Sequence, residues 1–444
     1  MAPPNAKNVL IVELNEFNAD LLASAIQQYS FPNLAKVLSL PRSSTLTDDF
    51  YHSGYLEPWV QWVSIHTGVP SSTHKIKHLG DVPYLHYQQC WDGLGEHQVT
   101  TGVWGCMNSS CNQKNVLFFL PDPWTFSEEA VPKVLNRLLA LPRYLAKNYR
   151  NLKPWDIVAK AINLFRFIAT SGVGGKIFKE SIKLFFPLRK FSKQSVFIVF
   201  FDYIATLFFI QYKKRYLPQC AFLFLNSLAH LQHHHWREGG VTPEILFGLQ
   251  TLEKIFAALF KAFPHDALVV HNGLSQMNTH HEKPWVLYRQ KDPIKFLKAL
   301  EIPFVRVEQN MTHDGHAFFA TPEACQQAYS DLTAAKIQQQ ALFHVEINPS
   351  DPCKLFYQLS FTDQMENKKE VVFEFRGKAY RFFNFFDEVI TRTGRHIPMG
   401  TILSDTIYFP HQLYNHEFNH YLYYYLLPME FPMNQSFYQE VAIR

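Results

Sequence analysis

Three short stretches, residues 8–14 (NVLIVEL), 221–227 (AFLFLNS) and 267–273 (ALVVHNG), are near-continuous apolar runs that lack the in-and-out alternation of a half-solvated strand. Runs of this kind need cover on both faces, which a parallel sheet between two layers of helices provides. The segments between them have helical periodicity. NADLLASAIQQYS (18–30) has apolar residues three and four apart and stops near Pro32. EPWVQWVSIHTG (57–68) places Pro58 at a helix N1 position and Gly68 at the stop, and TPEILFGLQTLEKIFAALFKAF (242–263) is a long amphipathic helix. VTTGVWG (99–105) adds another strand, and PDPW (121–124) a rigid turn. The expected fold class is therefore α/β, a mostly parallel sheet flanked by helices.

The 444-residue chain is long enough for one large α/β domain with insertions. Residues 126–218 are helical, basic and aromatic and are expected to form a helical insertion; residues 284–390 mix short strands and helices, as in an α+β cap. Core segments at 1–125, 219–283 and 391–444 complete the expected organisation. Forty-two basic and 38 acidic residues leave a formal charge of +4 without long runs, which argues against a nucleic-acid partner and gives no sign of membrane association. The greasiest stretch, Ser195–Ile210, contains Asp202 and falls short of the ~20 apolar residues a bilayer needs, so a buried helix is expected. Six cysteines without a CxxC pair are expected as reduced thiols. The opening MAPPNAKNVLIVELN lacks the features of a signal peptide, consistent with a cytoplasmic location.

Polar groups cluster where the apolar runs end. Glu13 and Asn15 close the first strand, Asn226 and His230 follow AFLFL, His271 and Asn272 end ALVV, and His396 sits in the turn GRHIPMG. A parallel sheet gathers such ends along one edge, where open α/β folds bind ligands. His233, His234 and His235 look like a metal tract, but on an extended chain consecutive residues face opposite ways and cannot all converge on one ion, so they are read as exposed helix or loop residues with at most one reaching the site. Trp59 and Trp62 are read as core.

The order of these motifs resembles the alkaline phosphatase superfamily, in particular its type I phosphodiesterase/nucleotide pyrophosphatase branch. That family opens with a strand and Asp-Gly-Phe; here LIVELNEF puts Asn15 at the Asp and Glu16 at the Gly. The family nucleophile, ten residues before a helix-ending Thr-Gly, falls at Pro58 beside Glu57. Asp-x-x-x-His is similar to Asn226 and His230, Asp-His-Gly-Met to His271, Asn272, Gly273 and Leu274, and the final Gly-x-His-x-Pro-x-Gly to Gly394, His396, Pro398 and Gly400.

The resemblance implies an alkaline phosphatase-like fold and a metal-dependent hydrolase or transferase of phosphate esters or diesters, small or glycan-linked. The implied metal positions are Asn15, Asn226, His230, His271, Asn272 and His396; Glu13, two residues before Asn15 on the same strand face, and Glu57, at the nucleophile position, are read as compensating ligands, with Glu57 and Gln61 as catalytic candidates. Asparagines in place of aspartates hold zinc weakly, so one ion (zinc, manganese or iron) is preferred to two. With no hydroxyl or thiol at 57 or 58, attack by metal-activated water is expected, with Glu57 as ligand or general base, and direct attack by Glu57 is the lesser alternative. The alternative is a catalytically inactive binding protein that keeps the fold and pocket.

Overall fold

A computed structural model describes residues 8–51, 55–112, 114–148, 152–183, 185–238, 240–309 and 313–427. The chain divides into two compact units. The first comprises residues up to Leu139, Asn163–Asn278 and the chain from Thr393; the second comprises Ala140–Ile162 and Thr279–Arg392.

The first unit is built on an eight-stranded sheet. Its leading strands are β1 (Val9–Leu14), β2 (Arg42–Leu46), β3 (Thr101–Trp104), β4 (Val116–Leu120), β5 (Cys220–Leu225) and β6 (Ala267–His271). Across the sheet the order is Gln412–Tyr414, β2, Met399–Ser404, β6, β1, β5, β3, β4. Every pairing is parallel except the two made by Met399–Ser404, which runs antiparallel to β2 and β6. The expected α/β class, a mostly parallel sheet with flanking helices, is what the residues form.

β1 lies at the centre between β5 and β6, and all six of its residues are buried. Leu10, Val12 and Leu14 join one apolar core with Phe208, Phe209, Leu249 and Phe256. Alternation along a strand turns Val9, Ile11 and Glu13 to the opposite face. Glu13 there meets the Pro58–Thr67 helix through His66.

That helix starts at Pro58 and ends at Gly68, whose φ of 75° is the left-handed conformation a glycine C-cap adopts without strain. All ten of its residues are buried. The Lys193–Tyr216 helix packs Val199, Phe208 and Phe209 into the core, and it is 24 residues long and apolar enough to cross a bilayer by length and composition.

Its one acidic residue, Asp202, has a local purpose: the carboxylate accepts from the backbone N–H groups of Asn226, at 3.0 Å, and Ser227, at 2.7 Å. It thereby caps the Ser227–His235 helix from outside, doing what an N-cap side chain normally does. One further strand pair matters for the site, β7 (Ser275–Asn278) with Gly394–Ile397, antiparallel.

The second unit contains two four-stranded antiparallel sheets and the antiparallel pair Trp285–Gln290 with Phe386–Arg392. Phe296, Phe343, Phe373 and Phe386 form the centre of its own apolar core.

Candidate metal centre

Directly after β1 the chain makes a tight turn in which Glu16 adopts φ 56°. Left-handed backbone is strained for any residue with a Cβ, and such strain persists only where the surroundings over-determine it. Here they do. The Glu16 N–H donates to the Asn272 carbonyl at 3.0 Å, and the Glu16 carbonyl accepts from Gln232 Nε2 at 2.9 Å. Gln232 in turn accepts from the Asn18 N–H. Backbone of this kind is what glycine adopts freely, and here it carries a carboxylate.

That carboxylate is buried and heavily engaged. Its Oε1 accepts from Asn15 Nδ2 at 2.8 Å, and its Oε2 accepts from Gln276 Nε2. Oε2 also lies 3.0 Å from the Nε2 atoms of both His233 and His396. The two Nε2 atoms are 3.1 Å apart. Each imidazole is fixed from behind by a backbone carbonyl: His233 Nδ1 is 2.9 Å from Gly394 O, and His396 Nδ1 is 2.5 Å from Leu56 O.

A carbonyl only accepts, so Nδ1 carries the proton on both rings, and in the neutral rings both Nε2 atoms present lone pairs to one point. Two lone pairs at this separation repel unless a proton or a cation lies between them. The His ring held by a carbonyl on one nitrogen and open to a metal on the other is the usual arrangement of a metal-ligating histidine. Two nitrogens and one carboxylate oxygen, all within 4.8 Å of one another, make a donor set that fits a divalent ion such as zinc, manganese or iron. Burial pushes the Glu16 carboxyl up, but His396 and His233 outweigh it and hold the group well below the usual carboxylate range.

Three separate elements deliver these donors: the turn after β1, the Ser227–His235 helix, and the Gly394–Ile397 strand. The tract lies on a helix and sends one of its three histidines, His233, to the cluster. A helix begins at Ser227, at once after β5, and its period turns His233 toward Glu16 and sends His235 to Ser195 Oγ, 3.0 Å away. His230, one turn earlier, has its ring 4.3 Å from that of His234. It keeps some surface exposure, yet enough protein surrounds it that desolvation carries its pKa to about 3, with His233 and His235 adding to the effect.

Of the positions singled out from the sequence, His396 is the one in this cluster. Asn15 and Asn226 stand beside it and are bonded to each other, Asn15 Nδ2 donating to Asn226 Oδ1 at 2.8 Å, while Asn15 Oδ1 accepts from Trp62 Nε1 at 2.7 Å. Asn272 ties the turn to the sheet, donating to Phe17 O and accepting from the Thr401 N–H.

Glu57 is the residue before the Pro58–Thr67 helix, adjacent in sequence to the carbonyl that holds His396, and its side chain does not cap that helix. Gln61 is fully buried; its Oε1 accepts from Thr47 Oγ1 and its Nε2 donates to Asp49 O at 2.8 Å, so both ends of its amide are used within the fold.

Glu13 and His271 lie apart from the Glu16 cluster. Glu13 pairs with His66 at 2.7 Å. His271 stacks on Phe418 at 5.0 Å and meets the Trp62 ring edge-on at 5.6 Å. Burial lowers the His271 pKa to about 3; Asn415 lies close enough to favour the charged form slightly, but among the described residues neither ring nitrogen makes a hydrogen bond of ordinary geometry.

Glu16, His233 and the two buried glutamines Gln232 and Gln276 were not legible as site residues. One signal was present, a carboxylate at a position whose motif calls for glycine; another was His230 and His233 at a helical i, i+3 spacing.

No family model and no curated protein matches the chain. Among solved structures, the chain is similar to murine ectonucleotide pyrophosphatase/phosphodiesterase 5 in complex with AMP, at 9% identity and a TM-score of 0.45, covering 98% of this chain and 100% of that one. It is similar to phosphonoacetate hydrolase from Sinorhizobium meliloti in complex with phosphonoacetate at 12% identity and a TM-score of 0.44, covering 95% and 96%. Human ectonucleotide pyrophosphatase/phosphodiesterase 5 follows at 11% identity and a TM-score of 0.43, covering 98% and 100%.

Proposed function

We propose that the chain is a metal-dependent hydrolase or transferase of a phosphate ester or diester, working with one divalent ion held by Glu16, His233 and His396. The observation that supports this reading is the convergence of two carbonyl-anchored imidazoles and a strained carboxylate on one point.

Three protein ligands leave coordination positions for substrate and water, as in catalytic rather than structural sites. An ion there would supply Lewis acidity toward a phosphoryl oxygen and ease the ionisation of water. Charge favours an anionic substrate. Asn15 and Asn226 are neutral, so among the ligands Glu16 alone carries charge, and the ion keeps a positive field toward a phosphoester oxygen.

Residues 57 and 58 are Glu and Pro, so no hydroxyl or thiol stands there, and water or a substrate hydroxyl is the preferred phosphoryl acceptor over the Glu57 carboxylate. Glu57, next to the carbonyl that fixes His396, is the carboxylate we assign to take up the acceptor's proton. The substrate can be a small molecule or a glycan-linked phosphoester.

The test is metal content of protein purified without chelator, followed by turnover of aryl phosphodiesters with added zinc or manganese. Stoichiometric metal, with turnover lost in Glu16→Gln and Glu57→Gln, supports the enzyme. Metal retained without turnover on a broad phosphoester panel would favour a binding protein using the same pocket.

A further inference from the structure

A second set of ligand-type side chains lies on the other face of β1, and no step of the proposed chemistry uses it. Glu13, His66 and Cys106 bring their ligand atoms within 4.8 Å of one another, and all three are buried. Each comes from a rigid part of the fold: Glu13 from the central strand, His66 from the last turn of the Pro58–Thr67 helix, and Cys106 from just beyond β3. Trp62 and Trp91 wall off His66, with ring centroids at 5.7 and 4.8 Å.

Glu13 Oε1 meets His66 Nε2 at 2.7 Å and the Cys106 thiol lies beside the carboxylate, but Glu13 Oε2 and His66 Nδ1, both buried, make no hydrogen bond of ordinary geometry among the described residues. Glu13 is 1% exposed. A buried carboxylate with an unsatisfied oxygen is costly, and such groups in a stable interior call for an unseen partner.

We infer that Glu13, His66 and Cys106 form a buried site for a thiophilic divalent cation of the zinc class, distinct from the Glu16 cluster, with the second oxygen of Glu13 as the fourth donor. Charge supports it. Binding drives the thiol proton to solvent, so the carboxylate and the thiolate carry two negative charges that cancel the ion's two positive ones, and His66 ligates as the neutral ring. The dry interior then holds a neutral group instead of a carboxylate served by one imidazole and a thiol. Sulfur, nitrogen and oxygen donors together suit zinc or cobalt and disfavour magnesium or calcium. Closed in by β1 and two tryptophans, the ion would fasten the Pro58–Thr67 helix to the central strand. The inference holds whether or not the Glu16 cluster is catalytic.

The test uses cobalt, because sulfur ligation gives a near-ultraviolet charge-transfer absorption that the sulfur-free Glu16 cluster cannot give. It is run on full-length protein carrying Cys111→Ser and Cys353→Ser, which removes the two partly exposed thiols. The expected result is a sulfur-to-cobalt band that survives His396→Ala and disappears in Cys106→Ser, with zinc content lowered by about one ion per chain in Cys106→Ser but not below that in His396→Ala. If Cys106→Ser does not fold, His66→Gln, which keeps the thiol, should weaken and shift the band. A cobalt-loaded protein without the band, or a folded Cys106→Ser variant with undiminished zinc, overturns the inference. Loss of metal in His396→Ala alone bears on the Glu16 cluster and not on this site.

Discussion

His233 and His396, 163 positions apart in the chain, bring their Nε2 atoms to 3.1 Å from each other and to 3.0 Å from one oxygen of Glu16. Both rings are locked by backbone carbonyls, so neither can turn its lone pair away. The arrangement calls for a proton or a cation between the two nitrogens, and the proposed ion would supply the latter.

Substitution along the histidine tract should therefore be selective. His233→Ala and His396→Ala are expected to lower metal affinity by at least the ~10–100-fold seen when even a supporting residue is removed. His235→Ala, which loses a contact to Ser195, should leave it unchanged. Elemental analysis after dialysis against a weak chelator reads the difference, and equal losses at all three positions would sink the assignment.

Glu16 tests the cost of its backbone. Glu16→Ala and Glu16→Gly both remove the carboxylate, but only alanine retains the strain at φ 56°. In metal-free protein Glu16→Gly should be more stable than Glu16→Ala by about 1 kcal/mol in denaturant unfolding. Neither variant should bind the ion. An alanine variant as stable as the glycine one would remove the strain argument.

Asp202 positions His233 indirectly by capping the helix that carries it. Burial raises its carboxyl to about 6, against the opposing effect of Ser227. The folded protein thus holds this proton more tightly than the unfolded chain does. Stability from this group is full below about pH 4 and is lost as pH rises through 6. Asp202→Asn, which titrates nowhere in that range, should show its largest stability cost near pH 4 and a smaller one above pH 6. Asp202→Ala should lose about 1–2 kcal/mol, as for a deleted cap.

His271 gives the opposite slope. Its pKa is lowered to about 3 by burial, from the ordinary 6.5, so the unfolded chain takes up a proton that the folded protein refuses. Stability is full above about pH 6.5 and falls as pH drops toward 3. His271→Leu keeps the packing against Phe418 and Trp62 and removes this term, so the variant should gain stability relative to the parent as pH falls. His230, also near 3, leaves a residual slope in both proteins. A gap independent of pH would show that His271 titrates normally.

The sequence by itself determined the sheet and its helices. Runs such as VLIVEL and CAFLFL state their burial through composition alone, because the cost of exposing apolar side chains is local and additive. Pro58 and Gly68 likewise fixed a helix from within ten residues. His396 stood out through the pattern GRHIPMG, although the residues expected there as a turn form a strand, Gly394–Ile397.

Which polar residues meet was decided only by tertiary structure. The side-chain direction of Glu16 depends on a left-handed φ that Gln232 and Asn272, more than 200 positions away, hold in place. The aim of His233 depends on where a helix begins, and that start is set by Asp202 from another helix. Asn15 and Asn226, equally suited on paper to hold an ion, bond to each other instead. Burial is written residue by residue, whereas the convergence of a few donor atoms is a geometric relation among distant segments that no single segment specifies.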